Sequence, residues 1–227
     1  MDANTEAIVR LCFARQLGLA DDALEGEGRV AVVRDDLLMT LRLWRTVVVV
    51  APADLQRGLA ELDDRAVTDP SALLARSGGG RLLGEAQLSV AVDFDSHPEL
   101  RRLEIEPDPG AAVALERRCP PDDVTEVGLS EMEQVFVHAA PDGTPLAGSG
   151  HSAWAGLVAD IGVLTAPDAR RGGLGRLLAG IAVNDALDSG LVPVWRARRG
   201  SAVSERLAQR LGFVPFGAQT TVAVPGR

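Results

Sequence analysis

The sequence predicts an α+β (mixed α/β) fold, and three observations support this class. Apolar residues make up 46% and charged residues 24% of the 227 residues, which is typical of a globular chain with a sizeable core. Short β-like runs bounded by turn residues occur along the whole chain. Segments with apolar residues at helical spacing lie between these runs, so helices and strands are interspersed.

The first half contains both kinds of element. A helix is predicted over 5–18, because its apolar residues recur at helical spacing and Gly18 can stop it. The other predicted elements are strands at 28–33 and 44–50, helices at 52–64 and 69–80, and a strand at 84–94. A stretch rich in Pro and acidic residues at 95–110 predicts a boundary. We therefore expect an N-terminal α/β domain of unknown function, residues 1–105, and a second domain, residues 106–227.

The second half gives clearer signals. Asp142-Gly143 predicts the turn of a β-hairpin within 134–154. The run 157–166 is apolar enough for a central strand, and a helix follows at about 172–189 with Gly190 as its C′ residue. The remaining predicted elements are helices at 111–119 and 129–134 joined by a loop at 120–128, a strand at 191–197, a helix at 202–211 and a final strand at 219–224.

Composition and charge exclude several classes of protein. No apolar run is long enough to span a membrane and the N-terminus has no signal-peptide shape, so we expect a cytoplasmic protein without a membrane partner. The net charge of −9 argues against a nucleic-acid partner. Cys12 and Cys119 are two residues far apart, which predicts neither a disulfide framework nor a metal site.

The charge is unevenly distributed. Residues 1–164 hold 14 arginines and 28 acidic residues, whereas residues 165–227 hold 9 arginines and 4 acidic residues. A basic segment on an acidic protein predicts a local anion site, although a scatter of solvated arginines would give the same count.

The stretch 161–178, "IGVLTAPDARRGGLGRLL", leads from the predicted central strand into the predicted helix. The first turn of a helix presents N–H groups without intrahelical partners, and the helix dipole adds partial positive charge there. Glycines allow an anion to approach the backbone, and Arg170, Arg171 and Arg176 add full charge. These are the components of a phosphate or pyrophosphate site.

Two common phosphate motifs do not fit this stretch. The Gly-x4-Gly-Lys pattern is absent, since the chain has no lysine, and Gly-x-Gly-x-x-Gly fails because Leu178 stands at its third glycine. What does match is Arg170-x-x-Gly173-x-Gly175, placed between a strand and a helix. This pattern resembles the acetyl-CoA signature of the GNAT acetyltransferase superfamily. The later "RLGFVPFG" at 210–217, after a short helix, is similar to the family's Leu-Gly-Phe ending.

The resemblance covers roughly the C-terminal half and implies a GNAT-like central mixed sheet flanked by helices. The N-terminal part would be an α/β extension or a degenerate GNAT-like domain. Acetyl-CoA, or another acyl-CoA, would be the co-substrate, with no metal. Its pantetheine arm would pair with the backbone of the predicted central strand, 157–166. It would enter a gap between that strand and the strand at 191–197, which is unpaired on one side at Pro193 because proline has no N–H to donate. The implied cofactor-binding residues are Val163, Leu164, Thr165, Arg170, Arg171, Gly172, Gly173, Leu174, Gly175, Arg176 and Ser201.

The catalytic acid is missing from its usual place. Many family members carry a tyrosine four residues before the glycine of Leu-Gly-Phe, whereas this position is Ala208 and the chain has no tyrosine. Ser201 stands where the family often has asparagine. Ser204, one turn further on, is the nearest hydroxyl that could replace the acid, although a capping or solvated serine would look the same.

Three side chains are candidates for the base that takes the amine proton. Glu126 lies in the predicted loop that lines the acceptor cleft in the fold. His151 lies among small residues on the second hairpin strand, which leave room for a substrate, and histidine is the most common general base. Asp160 begins the central strand, where a carboxylate is costly unless it is partnered. Each could instead be structural or solvated, and His97 and His138 are interpreted as surface or strand residues.

The sequence therefore predicts an acyl-CoA-dependent N-acyltransferase that transfers acetyl directly to a small-molecule or protein amine. The alternative is a catalytically silent acyl-CoA-binding sensor or interaction protein with a GNAT fold, which the missing tyrosine favours. A phosphate-binding protein of another fold is a third interpretation. The acceptor, the acyl chain and the oligomeric state, including a homodimer, are left open.

Overall fold

The structure is a computed structural model that describes residues 2–93, 100, 103–105 and 108–225. The predicted mixed α/β class is confirmed, because helices and strands alternate and the strands pair in both directions. The elements are, in chain order, α1 (Ala3–Gln16), β1 (Gly28–Val33), β2 (Leu38–Leu43), β3 (Thr46–Ala51), α2 (Ala53–Ala60), α3 (Pro70–Arg76), β4 (Arg81–Val90), α4 (Pro109–Glu116), α5 (Pro121–Val127), β5 (Gln134–Ala139), β6 (Pro145–Trp154), β7 (Val158–Thr165), α6 (Leu174–Asp188), β8 (Val192–Arg198), α7 (Ala202–Arg210) and β9 (Val214–Ala223).

Two compact units can be distinguished along the chain. The motif unit consists of Val90–Trp195 and Arg206–Val214 and contains the glycine-arginine stretch. The N-terminal unit consists of Asp2–Ser89, Arg196–Glu205 and Pro215–Arg227. Each is described by itself, and the division into domains at residues 105 and 106 stays a prediction.

In the N-terminal unit the strands lie in the order β1-β3-β2-β9-β4. β1 and β3 pair in parallel, whereas β2 is antiparallel to both β3 and β9. β3 is buried along its whole length, which explains its unbroken run of valines. Apolar residues of the sheet pack with α2 and α3 into one core, which includes Leu38, Val47, Val49, Ala51, Leu59, Val67, Leu73, Val222 and Val224.

A buried arginine ties α1 to this sheet. Arg10 is 7% exposed, and its Nη1 donates to the carbonyl of Leu24 at 2.6 Å and to Oγ1 of Thr46 at 2.8 Å. Glu6 accepts from Arg10 Nε at 2.8 Å, and the guanidinium lies 4.9 Å from the ring centroid of Trp44. The charge is therefore hydrogen-bonded and paired, as a buried charge must be.

In the motif unit the strands lie in the order β8-β7-β6-β5, with β5, β6 and β7 antiparallel and β8 parallel to β7. The predicted hairpin is present, with its turn at Ala140–Thr144 closed by the N–H of Ala140 on the carbonyl of Thr144. One face of this sheet carries glycines where α4 and a 3₁₀ turn at Leu129–Glu131 approach. A Cβ at Gly150 would lie 2.4 Å from the carbonyl oxygen of Gln134, and one at Gly162 would lie 2.2 Å from Cε of Met132.

The opposite face of β6 is joined to α6 by two polar contacts. Ser149 Oγ donates to the carbonyl of Leu178 at 2.6 Å, and Nε2 of His151 lies 2.8 Å from Oδ2 of Asp185. His151 is 3% exposed, and its Nδ1 is buried without a partner. The neutral imidazole therefore carries its hydrogen on Nε2 and donates it to Asp185, since a buried N–H at Nδ1 would have no acceptor.

Three predicted elements differ from the structure. The expected loop at 120–128 is helix α5, which begins after Pro120 and ends at Gly128 in the left-handed conformation (φ 58°). The expected helix at 129–134 is one 3₁₀ turn, Leu129–Glu131, before β5. The expected strand at 44–50 is present as β3 but begins at Thr46, because Trp44 (φ 52°) and Arg45 form the turn of a hairpin with β2, a strand that the sequence did not predict. His97 lies outside the described residues, and Nδ1 of His138 lies 2.9 Å from the carbonyl of Glu104.

Gly150→Ala should destabilise the protein by roughly 1–3 kcal/mol, because the new methyl group would meet the backbone of β5. Urea unfolding of the full chain measures this. Gly84→Ala is the matched control, since Gly84 lies in strand β4 with open space at its Cβ position. Equal stability of the two variants would contradict the close approach at Gly150.

Asp185→Ala should cost about 1–3 kcal/mol of unfolding free energy, because it leaves the buried Nε2–H of His151 without an acceptor. Asp188→Ala, on the same helix but exposed, should be near neutral. Thermal or urea unfolding of both variants checks this. Equal losses of unfolding free energy in the two variants would mean that the hydrogen bond between His151 and Asp185 does not stabilise the protein.

Candidate functional site

The hydrogen-bonded pairing between strands β7 and β8 ends partway along their length, and the point where it ends is called their divergence. Their parallel pairing joins Val158–Asp160 to Val192–Val194, whereas β7 continues to Thr165 and β8 to Arg198. β6 pairs with the other edge of β7 as far as Thr165. In the described part of the chain, the edge of β7 from Ile161 to Thr165 therefore has no partner strand on the side of β8. Strand edges of this kind bind extended ligands through their main chain.

The separation does not begin at Pro193, as the sequence led us to expect. Pro193 lies opposite Ala159 within the paired segment, and its carbonyl accepts from the N–H of Ala91 at 3.1 Å. The carbonyl and the missing N–H of a strand residue point to the same side, so the missing donor faces Ala91 and not β7. The strands diverge after Val194.

The turn after β7 exposes a row of N–H groups. A 3₁₀ turn at Pro167–Ala169 is followed by Arg171 at φ 70° and Gly173 at φ 86°, and α6 begins at Leu174 without a side-chain cap. Arg176 and Leu177 both donate to the carbonyl of Gly173. Within the described ranges, the N–H groups of 172–175 donate to no other group. Four such donors at a helix start are an arrangement that suits an anion, and they make this turn a candidate anion site.

Charge and backbone strain agree with this assignment. The first turn of α6 has no acidic residue, and Arg171 and Arg176 are exposed beside it. A left-handed conformation costs a non-glycine residue such as Arg171 roughly 1–2 kcal/mol, and strain of this kind gathers at binding sites. A Cβ at Gly175 would lie 3.1 Å from Oγ1 of Thr165, so this glycine permits the close approach of α6 to β7.

The predicted cofactor-binding residues other than Arg170 therefore divide into three groups. The backbone of 172–175 and the guanidinium groups of Arg171 and Arg176 are arranged for an anion. Val163, Leu164 and Thr165 lie on the unpaired edge of β7, although the Leu164 side chain is 2% exposed and can offer only its backbone. Ser201 belongs to the N-terminal unit, where its carbonyl accepts from the N–H of Glu205 at the start of α7.

Arg170 is placed differently from its neighbours. Its Nη2 lies 2.7 Å from Oδ2 of Asp123, and its Nε donates to the carbonyl of Thr165 at 3.1 Å. The guanidinium is thus directed towards α5 and the end of β7.

Two of the candidate bases lie on neighbouring elements. Asp160, 8% exposed, is the last residue of β7 that pairs with β8, and its side chain lies on the same face as Gly162 because residues two apart share a face. Helix α5 packs on this face, with Val127 against Gly162, and Glu126 on α5 is exposed. The structure therefore brings the elements of Asp160 and Glu126 together at the point where the strands diverge.

The other two catalytic candidates are His151 and Ser204. His151 lies on the opposite face of the sheet, against α6, and is paired with Asp185. Ser204 lies on α7 in the N-terminal unit and is partly exposed. Ala208, where the family often has tyrosine, is 4% exposed. The catalytic roles of all four candidates stay predictions.

Cys119, at the corner between α4 and α5, is a poor nucleophile. Burial raises the pKa of its thiol, so the thiol stays protonated near neutral pH. Across the ranges that the structure covers, no group of three or more His, Cys, Asp or Glu side chains could hold a metal ion. None of the described helices combines the length and apolarity that a membrane span needs.

The sequence missed the acidic end of α5 and its contacts. The loop predicted at 120–128 includes Asp123. The segment nevertheless has the residues that are typical of a helix: Pro121 at the first helical position, Asp122 and Asp123 in the first turn, and Gly128 after the last turn. That pattern could have located α5. The pairing of Asp123 with Arg170 has no signal in the sequence, because it joins residues 47 positions apart.

Comparisons with known proteins agree with the fold. Residues 147–220 match the family model described as GNAT acetyltransferase. The structure is similar to a protein from the GNAT family from Novosphingobium aromaticivorans, with 19% identity, a TM-score of 0.52, and coverage of 66% of this chain and 69% of that one. It is also similar to an acetyltransferase from the GNAT family from Colwellia psychrerythraea, with 14% identity, a TM-score of 0.51, and coverage of 68% and 60%. No curated protein matches the sequence.

At these identities the structural likeness establishes the fold, and the family model covers the segment from β6 to β9. The resemblance of the C-terminal half to the GNAT superfamily is thereby confirmed: residues 147–220 match the model of the GNAT acetyltransferase family, and the chain has the GNAT fold.

Proposed function

We propose that this protein is an acyl-CoA-dependent N-acyltransferase that transfers an acetyl group from acetyl-CoA directly to an amine. The observation that carries the proposal is the juxtaposition of unpaired N–H groups at 172–175 with the unpaired edge of β7. A diphosphate fits the first, and an extended arm with amide groups fits the second. The edge from Ile161 to Thr165 is about 16 Å long at roughly 3.3 Å per residue, and it leads from the anion site back to Asp160.

Each part of the chain has a role in this proposal. The N–H groups of 172–175 bind the diphosphate, and Arg171 and Arg176 neutralise its charge. The backbone of 161–165 aligns the pantetheine arm and so holds the reacting group in place. Bound acetyl-CoA supplies the acetyl group as an activated thioester.

Asp160 and Glu126 are the proton acceptors in the proposed reaction. The amine must lose a proton as its nitrogen bonds to the acyl carbon, and a carboxylate within reach can accept it directly or through water. Both lie on elements of one face at the divergence of β7 and β8. His151 serves instead to hold α6 on the sheet, because it is 3% exposed and its other nitrogen, Nδ1, is buried out of reach of an acceptor amine.

The acceptor in this proposal is a small-molecule or protein amine. A cationic amine fits the acidic excess of residues 1–164, which hold 28 acidic residues and 14 arginines. A cytoplasmic location and a homodimer stay predictions.

A second candidate function is an acyl-CoA-binding module without turnover. It is favoured by one observation: the chain has no tyrosine, and Ala208 occupies the position of the family's usual acid. Under this interpretation the backbone site binds the co-substrate in the same way. The two functions therefore differ in turnover, not in binding.

Gly173→Ala should weaken CoA binding, because Gly173 has φ 86° at the start of α6 and a side chain there disturbs the row of N–H groups. Gly190→Ala is the matched control: it has φ 75° at the other end of α6, also with open space around its Cβ position. Calorimetric titration with CoA measures both. At one hundred times the dissociation constant CoA should stabilise the wild type by about 2.7 kcal/mol, and ATP or NAD should not. Equal loss of affinity in both variants would contradict the assigned site.

Asp160→Asn and Glu126→Gln should lower the rate of thiol release from acetyl-CoA in the presence of an accepted amine by about 10²-fold or more if each is a base, while CoA affinity stays near wild type. Asp122→Asn, an exposed carboxylate on the same helix as Glu126, should leave the rate unchanged. A panel of amines with wild-type protein comes first. Tight CoA binding without turnover for any amine would exclude the transferase and favour the binding module.

A further inference from the structure

Two ion pairs flank the turn between β7 and α6. Nη2 of Arg118 lies 2.7 Å from Oδ2 of Asp168, and Nη2 of Arg170 lies 2.7 Å from Oδ2 of Asp123. Arg118 and Asp123 belong to the corner between α4 and α5, whereas Asp168 and Arg170 belong to the turn that leads to the anion site. Both pairs therefore connect the same two segments.

Each guanidinium also donates to a main-chain carbonyl. Nη1 of Arg118 donates to the carbonyl of Pro145, and Nε of Arg170 donates to the carbonyl of Thr165 at 3.1 Å. Arg170 thus bridges the last residue of β7 and the first turn of α5. The planar guanidinium group of arginine can donate to two acceptors in fixed positions, whereas the ammonium group of lysine is a single charge on a flexible stem.

The neighbouring arginines of the motif have no such contacts. Arg171 and Arg176 are exposed, and within the described ranges they form no ion pair and no side-chain hydrogen bond. They remain available for an anion at the start of α6. Arg170 is the first residue of the motif, but its guanidinium contacts Asp123 and the carbonyl of Thr165 instead.

Helix α5 is short and buries little of its own surface. It has seven residues, no side-chain hydrogen bond at its N-cap and no buried residue. A helix this short is marginal on its own, and here only the partly buried Val124 and Val127 contribute to the core. The ion pair of Asp123 with Arg170 is thus a polar tie between a short helix with little apolar burial and the end of β7.

We propose that Arg170 is a positioning residue that fixes α5 over β7, and that it is not a ligand of the co-substrate's phosphates. This rests on the proposed function for the identity of the co-substrate, although the contact itself does not. The phosphate charge is met by Arg171, Arg176 and the N–H groups of 172–175.

The test compares Arg170→Gln, Asp123→Asn, the double variant and Arg171→Gln in the full chain. Amide hydrogen exchange of residues 121–127 reports on α5, and calorimetric titration with CoA reports on the anion site. Arg170→Gln and Asp123→Asn should each speed exchange in α5 by about threefold or more, and the double variant should add little. CoA affinity of Arg170→Gln should stay within about threefold of wild type, whereas Arg171→Gln should lose more affinity and leave α5 exchange unchanged.

Two results would overturn the proposal. One is unchanged exchange of 121–127 in Arg170→Gln. The other is a loss of CoA affinity in Arg170→Gln as large as in Arg171→Gln. Asp123→Glu, which keeps the carboxylate, should restore slow exchange if the ion pair is responsible.

The design keeps this proposal separate from the proposed function. If CoA does not bind the wild type, the transferase and the binding module both fail, while hydrogen exchange still decides whether Arg170 fixes α5. Where an accepted amine is known, Arg170→Gln and Asp123→Asn should raise its KM more than that of acetyl-CoA, because the proposed function assigns Glu126, on α5, to the amine.

Discussion

The divergence of β7 from β8 after Asp160 and Val194 is the constraint on which the candidate site depends. Backbone N–H and C=O groups in a sheet require partners, and a strand that loses its neighbour partway exposes a polar edge. Here that edge ends at the turn that also exposes the N–H groups of 172–175. The end of strand pairing and the uncapped start of α6 thus place two rows of main-chain groups next to each other, and a ligand that combines phosphate with amides matches both.

Much of the motif unit could be predicted from the sequence because its signals are local. The turn at Asp142-Gly143 and the C′ glycine after α6 each depend on residues within a few positions of one another. Helix α5 was missed because its acidic and proline residues are also typical of loops. The β2–β3 hairpin was missed because its turn, at Trp44 and Arg45, carries none of the usual turn residues.

The positions of the candidate catalytic side chains were harder to predict than the helices and strands. Which face a strand residue occupies depends on register, and a shift of one residue reverses it. His151 and Asp160 both looked suitable as bases, yet pairing of β6 with β7 places them on opposite faces. Backbone groups escape this ambiguity, since a helix start exposes its N–H groups whatever the side chains are. Cofactor contacts made by the backbone are therefore better determined by sequence than catalytic contacts made by side chains.

The glycines of the sheet face differ in what surrounds them, and this has a consequence for sequence change. At Gly150 the obstacle to a larger residue includes the backbone of β5, which no substitution elsewhere can remove. At Gly162 the obstacles are the side chains of Met132 and Val127. Gly162 and Met132 therefore share one volume beside Asp160, and bulk added at one can be offset by bulk removed at the other. A pair of substitutions at Gly162 and Met132 can therefore move side-chain volume from the loop to strand β7. The surface beside Asp160 then changes its shape while the backbone of β7 stays in place.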